Sequence, residues 1–295
     1  MHYRRLGKTE LSVSVIGIGA WQFAGVWAKH FEQSEVDAIL SRARELGINF
    51  IDTAECYGYD HLSEKFIGNS IAGQRDQWIV ATKFGHNHAN DLADGNYRPE
   101  QVLLQLEESL RALQTDYIDI YQLHSAADTL FDNDELWTML NKQVQAGKVR
   151  FLGNSIGLPH LQYQAARSRE FGISVIQTTY NAVQTKAEQA LFPVAAEQDL
   201  GVIARTPLAS GFLTGKYQPG HVFPSDDVRS MRPQQGIDRE INAALKVLQE
   251  KPGDIEAAAW ANAWCLKQSR VAAVIPGIKS LAQLETNALA GSLIL

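Results

Sequence analysis

SEVDAILSRARELGINFID, residues 34–52, holds two patterns back to back. Val36, Ile39, Leu40, Ala43 and Leu46 recur at helical spacing and lay one apolar stripe along one face. Ser34 and Asp37 are expected to cap this helix at its start, and Gly47 to close it. INFID (48–52) follows at once, a short β-rich run that ends on a carboxylate. A helix that hands over directly to a strand is half of a βαβ unit.

The same grammar extends in both directions. Further runs are VSVIGIG (13–19), WIVATK (78–83), YIDIYQLH (117–124), VRFLGNS (149–155), ISVIQ (173–177), GVIAR (201–205) and VAAVIPG (271–277), which makes eight in all. Gly147, Gly172 and Gly201 are expected to end helices just ahead of strands. Pro99 suits the first turn of a helix carrying Val102, Leu106, Leu110 and Leu113. Strict alternation implies parallel strands joined by helical crossovers. Eight units in 295 residues predict an α/β fold, a single eight-stranded parallel TIM barrel over residues 1–295, rather than a doubly wound open sheet. YRRLGKTELSVS (3–14), with Gly7 at its turn, reads as an N-terminal β-hairpin plugging the barrel's amino end. A Pro/Gly/Asp/Arg-rich loop and two helical patterns, about 219–268, read as an insertion after the seventh strand.

Composition narrows the function. Forty-five per cent hydrophobic side chains exclude disorder, and 27 basic against 33 acidic residues, with no basic block, argue against nucleic acid or an anionic membrane as partner. Cys56 and Cys265 are too few to staple the chain, which fits a reducing, cytoplasmic setting. The most apolar stretch, 13–28, is broken by Ser14, Gly17, Gly19, Gln22 and Gly25, so it reads as neither a membrane span nor a secretory signal. A small-molecule substrate is expected, and the sequence is silent on oligomeric state.

In a barrel of this kind chemistry sits at the carboxyl ends of the strands. Asp52, Lys83, His124, Ser155 and Gln177 each end a run. Tyr57 follows Asp52 within DTAECYG, where Gly58 makes the turn that returns the phenol to the mouth. A lysine ammonium stabilises phenolate, and an aspartate keeps that ammonium charged. Asp52, Lys83 and Tyr57 therefore read as a proton-supplying relay, with His124 donating to a substrate oxygen as negative charge builds there. Carbonyl reduction fits that set.

At this point the chain resembles the aldo-keto reductases. The likeness runs from RLGKTELSVSVIGIGAW through DTAECYG, ATKF, YIDIYQLH and PLASGFLTGKY to PGIKS. The resemblance implies an NADPH-dependent barrel enzyme whose Asp, Tyr, Lys and His correspond to Asp52, Tyr57, Lys83 and His124. It also implies that Gln177 and Ser155 lie near the nicotinamide, although Ile156 replaces an asparagine of the family pattern. Arg205 stands where many members stack a tyrosine on the nicotinamide ring, followed by Thr206 and Pro207. Barrels often hold phosphate between the loops of strands seven and eight. The candidates there are Leu208, Gly211, Leu213, Gly215 and Lys216 in one loop, and Gly277, Lys279 and Ser280 in the other. Lys279 and Ser280 match a 2′-phosphate site, and Gln283 and Asn287 the adenine end. Gly19, Ala20 and Trp21 are expected to line the floor of the mouth, with Trp21, Trp27, Phe84 and Phe131 forming an apolar vestibule.

Three rival readings fit the sequence less well. GIGAWQ lacks the third glycine of an open-sheet dinucleotide fingerprint. His86 and His88, with His124, suggest a metal-dependent hydrolase, but Lys83 among them would repel a divalent cation. Some barrels that resemble this family are regulatory subunits that hold nucleotide and turn over slowly, and an intact tetrad argues against that here.

Overall fold

The computed structural model describes residues 1–86 and 97–293. Among the described residues there are ten strands, eight of them alternating with helices. β1 (Tyr3–Arg5) and β2 (Ser12–Ser14) form an antiparallel hairpin. The remaining eight are β3 (Ile18–Gly19), β4 (Phe50–Asp52), β5 (Ile79–Phe84), β6 (Ile118–His124), β7 (Val149–Ile156), β8 (Ile173–Thr179), β9 (Gly201–Arg205) and β10 (Val271–Ile275). They pair in chain order, each parallel to the next. Single bridges from Ile16 to Val274 and from Gly19 to Gly277 bring β10 against β3, so the sheet curls into a nearly closed barrel. No helix among the described residues is long and apolar enough to cross a membrane.

The hairpin plugs the amino end for a packing reason. Leu6, Leu11 and Val13 join Phe50, Ala81, Ile120, Val175, Ile203 and Ala273 in one interior cluster. Gly7 sits at φ +53°, and a Cβ there would lie 2.1 Å from the amide nitrogen of Gly201. A second, larger cluster fills the space between the strands and the outer helices. Leu213 belongs to a third, with Phe212, Ile237, Ile241 and Trp260, beneath the segment that follows β9.

Three sequence expectations are corrected. The run 13–19 divides, because Ser12–Ser14 pairs with the hairpin and only Ile18–Gly19 belongs to the barrel. The helix Gln33–Glu45 is capped by Glu32, whose carboxylate accepts from the Glu35 amide while Glu35 reaches back; Ser34 and Asp37 lie inside its first turns. Before β9 it is Asp199, at φ 51°, that takes the left-handed position. Gly201 is needed for another reason, since a Cβ there would come within 2.6 Å of the Leu6 side chain. Gly47, Gly147 and Gly172 do occupy positive φ, and Pro99 opens its helix.

Candidate active site

β4, β5, β6, β7 and β8 end on one rim, and their polar ends meet. Register places Lys83 opposite Gln122, His124 opposite Ser155, and Ser155 opposite Gln177. Lys83, wholly buried, spends its donors on Asp52 Oδ1 at 2.6 Å, the Thr53 carbonyl at 2.7 Å and the Tyr57 hydroxyl at 3.2 Å. The other carboxylate oxygen of Asp52 accepts from Gln177 Nε2 at 2.6 Å and Gln122 Nε2 at 3.1 Å. Ser155 in turn donates to Gln177 Oε1 at 3.4 Å. Gln122 was missed in the sequence, although strand alternation carried the signal: Ile120, Gln122 and His124 share one face of β6.

Tyr57 reaches this network because the chain turns sharply behind it. Gly58 lies at φ +86°, and a Cβ there would sit 2.7 Å from that of Leu62. The phenol ring stacks on Trp21, centroids 6.1 Å apart, and meets the His124 ring nearly edge-on at 6.0 Å. Trp21 in turn meets Trp27 edge-on at 4.9 Å. Phe84 and Phe131 do not line this vestibule: both are fully buried, Phe84 against Tyr121 and Phe131 between Trp137 and Phe171.

Electrostatics sort the protonation states. Burial opposes charge on Lys83, but Asp52 outweighs it and holds the ammonium well above its ordinary pKa. Burial pushes the Tyr57 phenol up to about 12, against the pull of Lys83. The sequence had suggested that the ammonium would win this contest; desolvation does. Burial, then the neighbouring His86, Lys83 and Arg205, keeps His124 far below the usual imidazole range. At neutral pH the mouth therefore presents a protonated phenol and a neutral imidazole.

Cys56, His86 and His124 are close enough to suggest a metal, with donor atoms within 4.8 Å of one another. Their orientation does not favour one. His86 lies on His124 at 4.2 Å with 20° between the rings, so the ring lone pairs run alongside rather than converge. His86 Nε2 also donates to the His124 carbonyl at 2.6 Å. His88 lies outside the described residues.

The loops expected to meet phosphate are only partly arranged for it. The amides of Gly211 and Leu213 bond the Leu208 carbonyl, and that of Gly215 the Phe212 carbonyl; Leu213 is also core. Gly19 and Gly277 close the barrel seam, where a Cβ on Gly277 would strike the Gln22 amide at 2.2 Å. Ala20 is buried beside them and Pro207 is buried after β9. Ser280 caps the helix Leu281–Leu289 by accepting from the Gln283 amide at 3.3 Å, while Gln283 accepts from the Lys279 amide at 2.8 Å. Lys279 Nζ bonds the Trp27 carbonyl. Its pKa is lowered by burial and then by Arg229; Asp227 and Asp226 oppose the shift and Lys216 adds to it, so three cations and two carboxylates share this corner.

The Aldo/keto reductase family model matches residues 15–295. The chain belongs to the aldo/keto reductase family. Aldo-keto reductase YhdN of Bacillus subtilis is 31% identical over 238 residues, covering 79% of this chain and 70% of the relative. Aldo-keto reductase yakc [NADP(+)] of Schizosaccharomyces pombe is 27% identical, with 96% and 85% covered. Among solved structures, aldo-keto reductase AKR11C1 of Bacillus halodurans in its holo form superposes with a TM-score of 0.82 at 28% identity, covering 100% of this reductase and 92% of the other chain. Membership of the family makes this aldo/keto reductase an oxidoreductase.

Proposed function

We propose that the chain reduces aldehydes or ketones to alcohols with NADPH, and that Tyr57 supplies the proton. The observation that carries the reading is the Tyr57 hydroxyl 3.2 Å from a buried lysine that is itself paired with Asp52, in a rim that also holds a neutral imidazole. The name of the yakc relative supports the cofactor choice.

The residues present fit a nicotinamide dinucleotide. Arg205 Nε, Asn287 Nδ2, Asn262 Oδ1 and Gln22 Oε1 are buried with no hydrogen-bond partner, an expensive state that a polar ligand would relieve. Gln177, Ser155 and Arg205 would hold the nicotinamide end with Trp21 beside them, and Asn287 and Gln283 the adenine end. Thr206, Pro207 and Leu208 would follow the backbone between. When bound, the reduced nicotinamide supplies a hydride to the carbonyl carbon. Tyr57 gives its proton to the carbonyl oxygen, so the π bond of C=O is replaced by one C–H and one O–H bond and the C–O single bond remains. Lys83 steadies the resulting phenolate, and Asp52 keeps Lys83 charged. His124 donates one N–H to the same oxygen and sets its position.

Loss of NADPH absorbance with a panel of aldehydes, ketones and sugars tests the reaction, and a single turnover with bound NADPH separates an enzyme from a slow regulatory subunit. No turnover with any carbonyl would defeat the proposal.

Three expectations follow from the geometry. His124→Gln keeps a donor, so it should lose only about tenfold to a hundredfold in kcat, less than loss of the proton donor. Because His124 is neutral and Tyr57 protonated across this range, kcat for reduction should vary by less than about threefold between roughly pH 6 and 9. A limb near pH 6.5 would show that the imidazole titrates in catalysis. Lys279→Ala should weaken NADPH binding by about tenfold or more and NADH binding by less than about threefold, since only NADPH carries the 2′-phosphate. Equal losses would transfer the phosphate to Lys216.

A further inference from the structure

Arg205 closes β9 inside the rim, and its charge is not balanced. Among the described residues no carboxylate lies within ion-pair distance of its guanidinium, whereas Arg75 pairs with Asp119 at 2.7 Å and Arg229 with Asp227 at 2.6 Å. Its Nε is buried without a partner, and Nη2 makes one long contact, 3.5 Å, to the Ile156 carbonyl. Asp52, the acid that acts on it across the mouth, is already committed to Lys83 and two glutamine amides. With His124 and Tyr57 neutral, two cations face one carboxylate, and the rim carries excess positive charge.

The backbone that carries the side chain is anchored. Thr206 lies at φ 54°, a left-handed conformation that a β-branched residue adopts only under constraint. Asn181 Nδ2 holds the Thr206 carbonyl at 3.0 Å, and Thr206 Oγ1 bonds the Arg205 carbonyl at 2.7 Å. Burial lowers the Arg205 pKa, yet a guanidinium stays protonated in a protein.

We infer that Arg205 makes the site discriminate between the two redox states of its nicotinamide, favouring binding of the neutral reduced ring over the cationic oxidised one. The inference rests on the reading that a nicotinamide cofactor binds at this rim. The two forms share every phosphate, ribose and adenine contact and differ by one positive charge on the ring. A fixed cation beside that ring costs the oxidised form alone, and in a partly buried site like charges a few ångströms apart are screened far less than in water. An aromatic ring at the same place would act the other way, since its face attracts a cation.

The test is a comparison of dissociation constants for NADPH, NADP+ and 2′,5′-ADP, read by protein fluorescence, on wild type, Arg205→Met, Arg205→Gln and Arg205→Lys. Wild type should bind NADPH at least about tenfold tighter than NADP+, equivalent to about 1.4 kcal/mol. Met and Gln should shrink that ratio by about tenfold, while Lys keeps it within about threefold. Binding of 2′,5′-ADP, which has no nicotinamide, should not change. Gln keeps a planar donor for Ile156, so it answers the question if Met misfolds. An unchanged ratio in a neutral variant that still binds both forms overturns the inference and leaves the reductase reading standing. Failure of wild type to bind any of the three nucleotides overturns both.

Discussion

Tyr57→Phe should lower carbonyl reduction by about a thousandfold or more, within the range a positioned proton donor contributes. The substitution removes one oxygen and keeps the ring that stacks on Trp21. Lys83 loses its longest contact, 3.2 Å, and retains Asp52 and the Thr53 carbonyl. Folding stability should therefore fall by no more than about 1.5 kcal/mol, the net worth of one hydrogen bond. NADPH affinity should stay within about twofold, because the change deletes a proton and no cofactor contact. Single-turnover rates and a nucleotide titration on the same preparation check both halves. A variant that kept most of its rate would remove Tyr57 from the chemistry and leave His124 as the donor to examine.

Most of the rim was legible because two regularities act together. Strand periodicity says which residues share a face, and the barrel rule says which end carries chemistry. Asp52, Lys83, His124, Ser155 and Gln177 satisfy both, and the structure places them on one rim. Gln122 satisfies only the first, being two residues short of its strand end, yet it bonds Asp52. The contact of Cys56 with His124 at 3.6 Å and the stacking of His86 depend on loop paths, which no period encodes. Phe84 and Phe131 mislead for a related reason: aromatic residues near a mouth in sequence are as useful to the core as to a vestibule, and burial decided for the core.

Glycines show the same division. Gly7, Gly19, Gly201 and Gly277 were conspicuous, and at each of them a Cβ would collide with a neighbouring segment. At Gly19 that demand comes from closing the seam against β10, a requirement of the fold that in sequence resembles close approach to a ligand, whereas at Gly277 it comes from the Gln22 side-chain amide. In the loop after β9 the backbone amides of Gly211, Leu213 and Gly215 are spent on the loop's own carbonyls. The proposed phosphate contact therefore rests on the Lys279 side chain rather than on these amides.

Lys83→Met separates support of the fold from support of the reaction, and both effects should be large. The ammonium is wholly buried, and its three partners would all be stranded by a thioether. Asp52 would remain a buried carboxylate with only two glutamine amides. Breaking a buried pair from one side costs about 3–5 kcal/mol, so the denaturation midpoint should drop sharply. Reduction should also fall about a thousandfold, because the phenolate left after proton transfer loses its counter-charge. A single variant cannot apportion these losses, but the pair with Asp52→Asn can. In the double variant no unpaired charge remains, so stability should recover by about 1.5 kcal/mol or more, while the rate stays as low as in Lys83→Met. Recovery of both together would mean that Lys83 served only to neutralise Asp52. Recovery of stability alone places the ammonium in the proton relay itself.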